Sequence, residues 1–296
     1  MTLPVTYPPG DGGAGQSPVS PSVAAGRRRR VAPGRAVIFA VLAVISVVIM
    51  YPFYFMAVTS MRSEAQYQLG RGFSLSSWSQ LFASVPVARE MLNSLLVCTV
   101  AIAIILTLST TAGFALAKAH FRGHGLVLLG LVGGMMIPVQ SIIIPEYVNF
   151  VGLHLINSYL GAILVYVAVG TPFATFLMTT YFRGVPEELI DAGRCDGLGY
   201  AGVFRRIALP IAKPALATVI VLQFIPIWND LLVGLLFLQE PTVRTFTVGL
   251  GVLASSRVVS IPGLMAGSLL STIPAAAVYV IFQRFLVSGL TLGASR

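Results

Sequence analysis

Six long apolar stretches alternate with short polar segments along this chain. Each is about 20 residues or longer, which is the length that a helix needs to cross a bilayer. Backbone polar groups cannot stay unpaired in lipid, so spans of this kind are expected to be helices. The pattern predicts an all-α integral membrane fold with six transmembrane helices, at Ala36–Val58, Asn93–Ala117, Gly125–Val148, Ser158–Phe182, Pro214–Phe237 and Gly263–Phe285.

The composition agrees with a membrane protein and leaves no room for a large soluble domain. Of the 296 residues, 56% are hydrophobic and 10% are charged, whereas a soluble domain carries about 25% charged residues. The first 26 residues are rich in Pro, Gly, Ser and Ala, and Arg27–Arg30 and Arg35 follow them. We therefore expect a disordered, basic cytoplasmic tail over residues 1–35 and a six-span domain over residues 36–296.

The distribution of Lys and Arg predicts the sidedness of the spans. If the N-terminus is inside, the inside segments carry 14 Lys and Arg residues and the outside segments carry 5. Cytoplasmic segments are enriched in such cations, so we expect both termini in the cytoplasm of a multi-pass protein in the bacterial cell membrane. The basic cluster directly precedes a span, which disfavours nucleic acid as a partner and favours contact with membrane lipid.

A charged, helix-forming segment lies between the fourth and fifth spans, at about residues 183–213, and is called the coupling loop below. Glu187 and Glu188 follow Pro186, as is favourable at a helix N-terminus, and Gly197 is a natural stop. A second short helix is expected over Tyr200–Ala208, ended by Pro210. The residues alone also allow an ordinary amphipathic loop on the membrane surface.

The coupling loop resembles the EAA loop of the membrane subunits of bacterial ABC importers. That pattern reads Glu-Ala-Ala, three residues, Gly, nine residues and Ile-x-Leu-Pro. Here Asp191-Ala192-Gly193, Gly197 and Ile207-Ala208-Leu209-Pro210 stand at the matching positions. Asp191 replaces the usual Glu and Gly193 replaces the second Ala, which shortens the acid but keeps its charge. Further segments resemble the maltose-type branch that carries sugars, among them Asn157-Ser158-Tyr159, Trp228-Asn229-Asp230 and Met265-Ala266-Gly267.

The resemblance implies a type I ABC importer permease fold and a set of partners. These would be a second homologous permease subunit, two ATP-binding subunits, an extracytoplasmic solute-binding protein and a sugar substrate. The loop would be the coupling helix that docks on an ATP-binding subunit. Its small Ala192-Gly193 pair would let that subunit approach closely, and Asp191 would pair with a cation there. The docking residues expected are Glu188, Asp191, Ala192, Gly193, Asp196, Gly197, Leu209 and Pro210.

The chain cannot supply the phosphate-binding loop of an ATPase. That loop needs Gly-x-x-x-x-Gly-Lys-Ser/Thr, and the only two lysines, Lys118 and Lys213, each follow Ala. ATP hydrolysis is therefore expected on a separate subunit, and the chain itself is not expected to be an enzyme. No catalytic set, no bound cofactor and no Cys/His metal cluster is predicted.

Four polar residues inside the spans are candidates for the translocation path: Gln140, Gln223, Asn229 and Asp230. An acid in a span is costly and usually faces the interior of the bundle. Asp230 could line the path or bend the fifth span. It could equally be a structural acid that caps a broken helix.

Two other interpretations remain open from the sequence. The importer could carry a solute that is not a sugar. A self-contained secondary transporter would show paired intramembrane charges and internal repeats, whereas one convincing intramembrane acid, Asp230, and no clear repeat are found.

Overall fold

The computed structural model describes residues 33–119, 121–256 and 260–291, and these form helices and connecting segments without a β-strand. The predicted N-terminal tail lies outside them, apart from its last residues. The chain divides after Met50 into two units. Of the described residues, the first unit holds the N-terminal part of helix α1 (Pro33–Ser60), and the second holds the rest of α1 and the other helices.

Four of the helices are long and apolar enough to cross a membrane. They are α1, α4 (Val87–Lys118), α7 (Tyr159–Arg183) and α14 (Ile261–Thr291). Between α1 and α4 lie two short helices, α2 (Glu64–Gln68) and α3 (Ser76–Ser84). These four long helices correspond to the first, second, fourth and sixth predicted spans.

The third predicted span is a bent pair of helices. Helix α5 (His124–Met135) and helix α6 (Val139–Gly152) meet at an angle of 93°. Pro138 is the N-cap of α6. Proline disfavours helical geometry in the residue before it, so the break falls where the sequence places this residue. Pro145, by contrast, lies inside α6.

The fifth predicted span, Pro214–Phe237, starts within one residue of its prediction but is broken before its C-terminal end. Helix α11 (Lys213–Asn229) ends before Asp230, and a separate helix α12 (Leu232–Phe237) follows. The helical segment before α11 joins it at an angle of 72°. The described part of the chain therefore holds four candidate spans, or up to six if each bent pair counts as one. Helix α13 (Phe246–Ala254) lies between α12 and α14.

The centre of the second unit is built from α4, α7 and α11, which contribute most of its buried residues. Small residues let α4 and α7 approach closely. Ala101 on α4 and Ala174 on α7 are fully buried. A Cβ added to Gly113 would lie 2.7 Å from Cβ of Met178 and 3.0 Å from the backbone nitrogen of Thr179. Other large apolar side chains on these helices, such as Leu92, Leu108 and Leu160, are exposed, as expected of helices that face lipid.

Candidate coupling loop and translocation path

The first helix of the coupling loop, α8 (Glu187–Cys195), is amphipathic and ends in a Schellman motif. Gly197 has a φ of +83°, which glycine adopts without strain. Its N–H donates to the carbonyl of Arg194 at 2.9 Å, and the N–H of Leu198 donates to the carbonyl of Gly193 at 3.0 Å. Pro186 fits the first helical position by sequence, but in the structure it is the N-cap of α8 and the helix begins one residue later, at Glu187. The predicted stop at Gly197 is confirmed.

Gly193 faces the second helix of the loop. Its small size was expected to let an ATP-binding subunit approach, but the structure shows that it makes room for a neighbouring side chain of the same loop. A Cβ built on Gly193 would overlap Cδ1 of Ile207 and lie 3.4 Å from Cγ2 of Val203. Gly193 is buried, while Ala192 beside it is exposed. The close approach that glycine permits is therefore made by the second helix of the same loop. Only Ala192 of the pair presents a small residue to the outside.

The second helix of the loop continues past Pro210, so the prediction that Pro210 ends it is wrong. Helix α9 (Tyr200–Val203) runs into a π-helical turn (Phe204–Ala208) and then into α10 (Leu209–Ile211). A proline ring clashes with the carbonyl four residues earlier in a regular α-helix. The wider π turn directly before Pro210 lets the helix continue, and the bend comes at Ala212 instead.

Most of the predicted docking residues are exposed. Exposed positions are Glu188, Asp191, Ala192, Asp196, Gly197 and Pro210, whereas Leu209 is half-buried. Asp191 forms an ion pair of 3.3 Å with Arg194 on its own helix. The guanidinium of Arg194 also lies 4.7 Å from the ring centre of Tyr200. This surface pair is weak, since exposed ion pairs contribute about 0–1 kcal/mol, so Asp191 can exchange Arg194 for another cation at little cost.

Sequence reasoning missed Lys118 as a residue of this site. Its ammonium group donates to the carbonyl of Val185 and to Oε1 of Glu187, both at 2.7 Å. In the sequence, Lys118 was indistinguishable from any cation flanking a span. The contact joins residues 69 positions apart, and no local pattern indicates it.

The four candidate path residues fall into two groups. Gln223 is buried, and its Nε2 donates to the carbonyl of Gly170 at 3.1 Å. Asp230 binds the hydroxyl of Tyr166, also on α7. These two residues join the fifth predicted span to one face of α7, because Tyr166 and Gly170 are one helical turn apart.

Gln140 and Asn229 are the exposed members of the set. Gln140 lies on α6 just after the 93° bend. The Nδ2 of Asn229 donates to the carbonyl of Ile225 at 2.9 Å, one turn earlier on α11. These two amides keep free hydrogen-bonding capacity, whereas Gln223 and Asp230 are engaged in packing. Among the described residues, no three His, Cys, Asp or Glu side chains could hold a metal ion.

Comparisons with known proteins agree with this architecture. Residues 109–292 match the family of binding-protein-dependent transport system inner membrane components. The chain is 34% identical over 201 residues to the arabinooligosaccharides transport system permease protein AraQ of Bacillus subtilis, covering 68% of this chain and 71% of that one. It is 28% identical over 269 residues to the diacetylchitobiose uptake system permease protein NgcG of Streptomyces coelicolor, covering 88% and 89%.

A solved structure supports the fold independently. The crystal structure of a bacterial ABC transporter involved in the import of the acidic polysaccharide alginate contains a chain that superposes with a TM-score of 0.75. The match covers 85% of this chain and 95% of that chain, at 21% identity. The ABC permease fold predicted from the resemblance is confirmed. The chain belongs to the family of binding-protein-dependent transport system inner membrane components, as the multi-pass permease subunit of an ABC importer whose ATP hydrolysis takes place on a separate subunit.

Proposed function

We propose that this permease imports a sugar. The observation that carries the proposal is the naming of its relatives, since AraQ is named for arabino-oligosaccharides and NgcG for diacetylchitobiose. Sugars are bound largely through hydrogen bonds to their hydroxyl groups. The exposed amides of Gln140 and Asn229 offer donors and acceptors of that kind.

The importer works as an assembly with several partners. An ABC permease acts with a second permease, ATP-binding subunits and a binding protein. We propose the specific arrangement of one homologous partner permease, two ATP-binding subunits and an extracytoplasmic sugar-binding protein. Both termini then lie in the cytoplasm, on the same side as the coupling loop, in agreement with the charge distribution.

Docking on an ATP-binding subunit is assigned to the exposed side of the coupling loop. Asp191 is its central charge, and its present partner Arg194 is on the same helix. Glu188 lies three residues before Asp191 and Asp196 five residues after it, and Ala192 and Gly197 carry little or no side chain at this exposed side. Gly193 is buried against Ile207 and lets the two helices of the loop pack closely. Leu209 and Pro210 lie in α10, at the end of the second helix of the loop.

Charge reversal tests the docking assignment. Asp191→Lys places a cation where a cation of the ATP-binding subunit would approach, so that subunit should be lost when the permease is purified through an affinity tag. Breaking a partly desolvated pair costs up to several kcal/mol. Glu240→Lys makes the same reversal at an exposed residue between α12 and α13 and should retain the ATP-binding subunit. Equal retention in both variants would refute docking at Asp191.

A substrate panel tests the sugar proposal. The assembled importer with its binding protein is placed in proteoliposomes containing ATP. Uptake is then compared for radiolabelled arabinotriose, diacetylchitobiose, melibiose and glycine betaine. Accumulation of one of the sugars is the expected result. Accumulation of glycine betaine alone would show an importer of a solute that is not a sugar.

A further inference from the structure

One end of α4 is held against the coupling loop by a buried cation. The Nζ of Lys118 binds the carbonyl of Val185 and Oε1 of Glu187 at 2.7 Å each. Its side chain is 2% exposed, whereas that of Glu187 is 62% exposed. A buried ammonium group is costly unless it is paired and hydrogen-bonded. Losing these two bonds would leave the ammonium group buried without partners, so Lys118 is expected to stay bound to the start of the loop.

An aromatic contact lies one helical turn earlier on the same side of α4. The ring of Phe114 is 5.5 Å from that of Phe182 near the end of α7, in an edge-to-face arrangement. It is 5.3 Å from that of Phe204, the first residue of the π turn. Aromatic pairs at these distances add to the free energy of burial. Phe114 therefore contacts the second half of the loop, while Lys118 contacts its start.

These two side chains form a non-covalent bridge between the loop and the bundle. The coupling loop is continuous in sequence only with α7 and α11, so a displacement reaches those helices through the backbone. Helix α4 has no direct backbone connection to the loop, so a displacement of the loop reaches α4 through side-chain contacts. Interiors packed at crystal-like density transmit strain rather than absorb it, and Phe114 and Lys118 are both buried.

We propose that Lys118 and Phe114 are positioning residues that make the Lys118 end of α4 move with the coupling loop during the ATP cycle. The inference rests on the docking role proposed for the loop. It adds a second step, in which movement passes from the docked loop into a central span. Lys118 supplies a directional contact, and Phe114 prevents the loop from sliding along α4.

Distance measurements test the joint movement without any substrate. Cysteines at Ala201 in the loop and Ala112 on α4 are both exposed positions for spin labels. The exposed native Cys195 is replaced by Ser, and Cys98 is buried and out of reach of the label. In the full importer in nanodiscs, the label distance should be the same without nucleotide and with ATP plus vanadate. In the Lys118→Met background, adding ATP plus vanadate should shift or broaden the distribution of distances between the two labels.

Functional variants test whether the contact matters for transport. Lys118→Met removes both bonds but keeps most of the side-chain volume. Glu187→Gln is milder, because it leaves the bond to Val185 in place. Arg122→Met removes another cation, at an exposed position between α4 and α5 and outside the coupling loop, and serves as the matched control. Phe114→Leu tests the aromatic contact, and Phe176→Leu is its control at an exposed position of α7.

The expected signature is uncoupling with the complex intact. Lys118→Met and Phe114→Leu should retain the ATP-binding subunit and hydrolyse ATP. The amount of arabinotriose, diacetylchitobiose or melibiose taken up per ATP, measured with the sugar that the wild type accumulates, should fall roughly fivefold or more, the lower end of typical coupling between sites. Glu187→Gln should lie between them and the controls. In the double variant Lys118→Met/Glu187→Gln, the loss should equal that of Lys118→Met alone.

Three results would overturn the proposal. The wild-type label distance could change with nucleotide, the uptake per ATP could stay normal in Lys118→Met, or both Lys118→Met and Glu187→Gln could lose the ATP-binding subunit. The last result would make Lys118 a support of the docking surface only. Failure of docking itself is a separate outcome, because it is detected by Asp191→Lys, a residue that the bridge does not contact.

Discussion

The hydroxyl of Tyr166 donates a hydrogen bond of 3.0 Å to Oδ2 of Asp230. The same oxygen accepts the N–H groups of Val233 at 2.8 Å and Gly234 at 3.2 Å. Asp230 therefore caps the start of α12 and ties it to α7 at once. The capping bonds that the sequence allowed for Asp230 are present, at a break in the fifth predicted span. A part of Asp230 in the translocation path stays a prediction.

Replacing Asp230 should separate these roles. Asp230→Leu leaves two backbone N–H groups and the Tyr166 hydroxyl without their acceptor, and loss of a cap costs about 0.5–2 kcal/mol. The unfolding midpoint of the purified permease in detergent, followed by fluorescence-detected size exclusion, should fall. Asp230→Asn keeps an oxygen acceptor and should lose less.

Tyr166→Phe is the matched control for this experiment, because it removes one of the three bonds and leaves the cap in place. It should lower the midpoint less than Asp230→Leu does. A normal midpoint with abolished uptake in Asp230→Leu would contradict the structural role and favour a direct part in the path.

Glycine at position 113 sets the distance between α4 and α7. In Gly113→Ala, the new methyl group would lie 2.7 Å from Cβ of Met178 and 3.0 Å from the backbone nitrogen of Thr179. Neither atom can move without displacing α7, and overpacking of this kind costs about 1–3 kcal/mol. We expect a lower unfolding midpoint and lower yield.

The control for this change is Gly130→Ala on α5, where nothing lies within 4 Å of the added methyl group. Alanine favours a helix over glycine by about 1 kcal/mol, so this variant should match or exceed the wild-type midpoint. Equal destabilisation of the two variants would mean that α4 and α7 are not in the contact described.

The sequence predicted the long continuous spans well, because an uninterrupted apolar run of that length has few alternatives in lipid. Helix α7 (Tyr159–Arg183) differs from its predicted bounds by one residue at each end. Helix α4 (Val87–Lys118) begins six residues before the predicted Asn93. The early start adds Glu90 to the helix and makes Asn93 an interior residue of it, where its Nδ2 donates to the carbonyl of Arg244 at 2.8 Å.

The parts that could not be predicted depend on distant residues. Asp230, at the break, bonds to Tyr166 on α7, and Gly193 lies against Ile207 on the second helix of the loop. The π turn before Pro210 has no reliable sequence pattern. The expectation that proline ends a helix was therefore wrong at Pro210. For Asp230 and Gly193 the contacting residue is distant in the sequence, so no local pattern indicates the contact.

Sidedness is tested by thiol labelling in intact cells and in inside-out vesicles. Gln80 on α3 and Tyr200 on α9 are both exposed, and the 14 to 5 charge distribution places them on opposite sides. In a background with Cys195 replaced by Ser, Gln80→Cys should react with an impermeant maleimide from outside. Tyr200→Cys should react only from the cytoplasmic side. External labelling of position 200 would show that the proposed orientation is wrong.

Gly193 offers a test of what the glycine in the EAA-like triplet does. A methyl group on Gly193 would overlap Cδ1 of Ile207, so Gly193→Ala should push α8 away from the second helix of the loop. Retention of the ATP-binding subunit and uptake should both fall. Gly199→Ala, in the same loop with nothing within 4 Å, should behave like the wild type.

A second substitution distinguishes packing inside the loop from direct contact with the ATP-binding subunit. Ile207→Val removes the Cδ1 that the new methyl group would meet, at a cost of about 0.5–1.5 kcal/mol on its own. If Gly193 is small to accommodate Ile207, the double variant Gly193→Ala/Ile207→Val should regain most of the retention and uptake. If Gly193 is small because the ATP-binding subunit lies against it, shortening Ile207 cannot relieve the clash, and the double variant should be as impaired as Gly193→Ala or more so. Because Gly193 is buried beneath Ile207, we expect rescue.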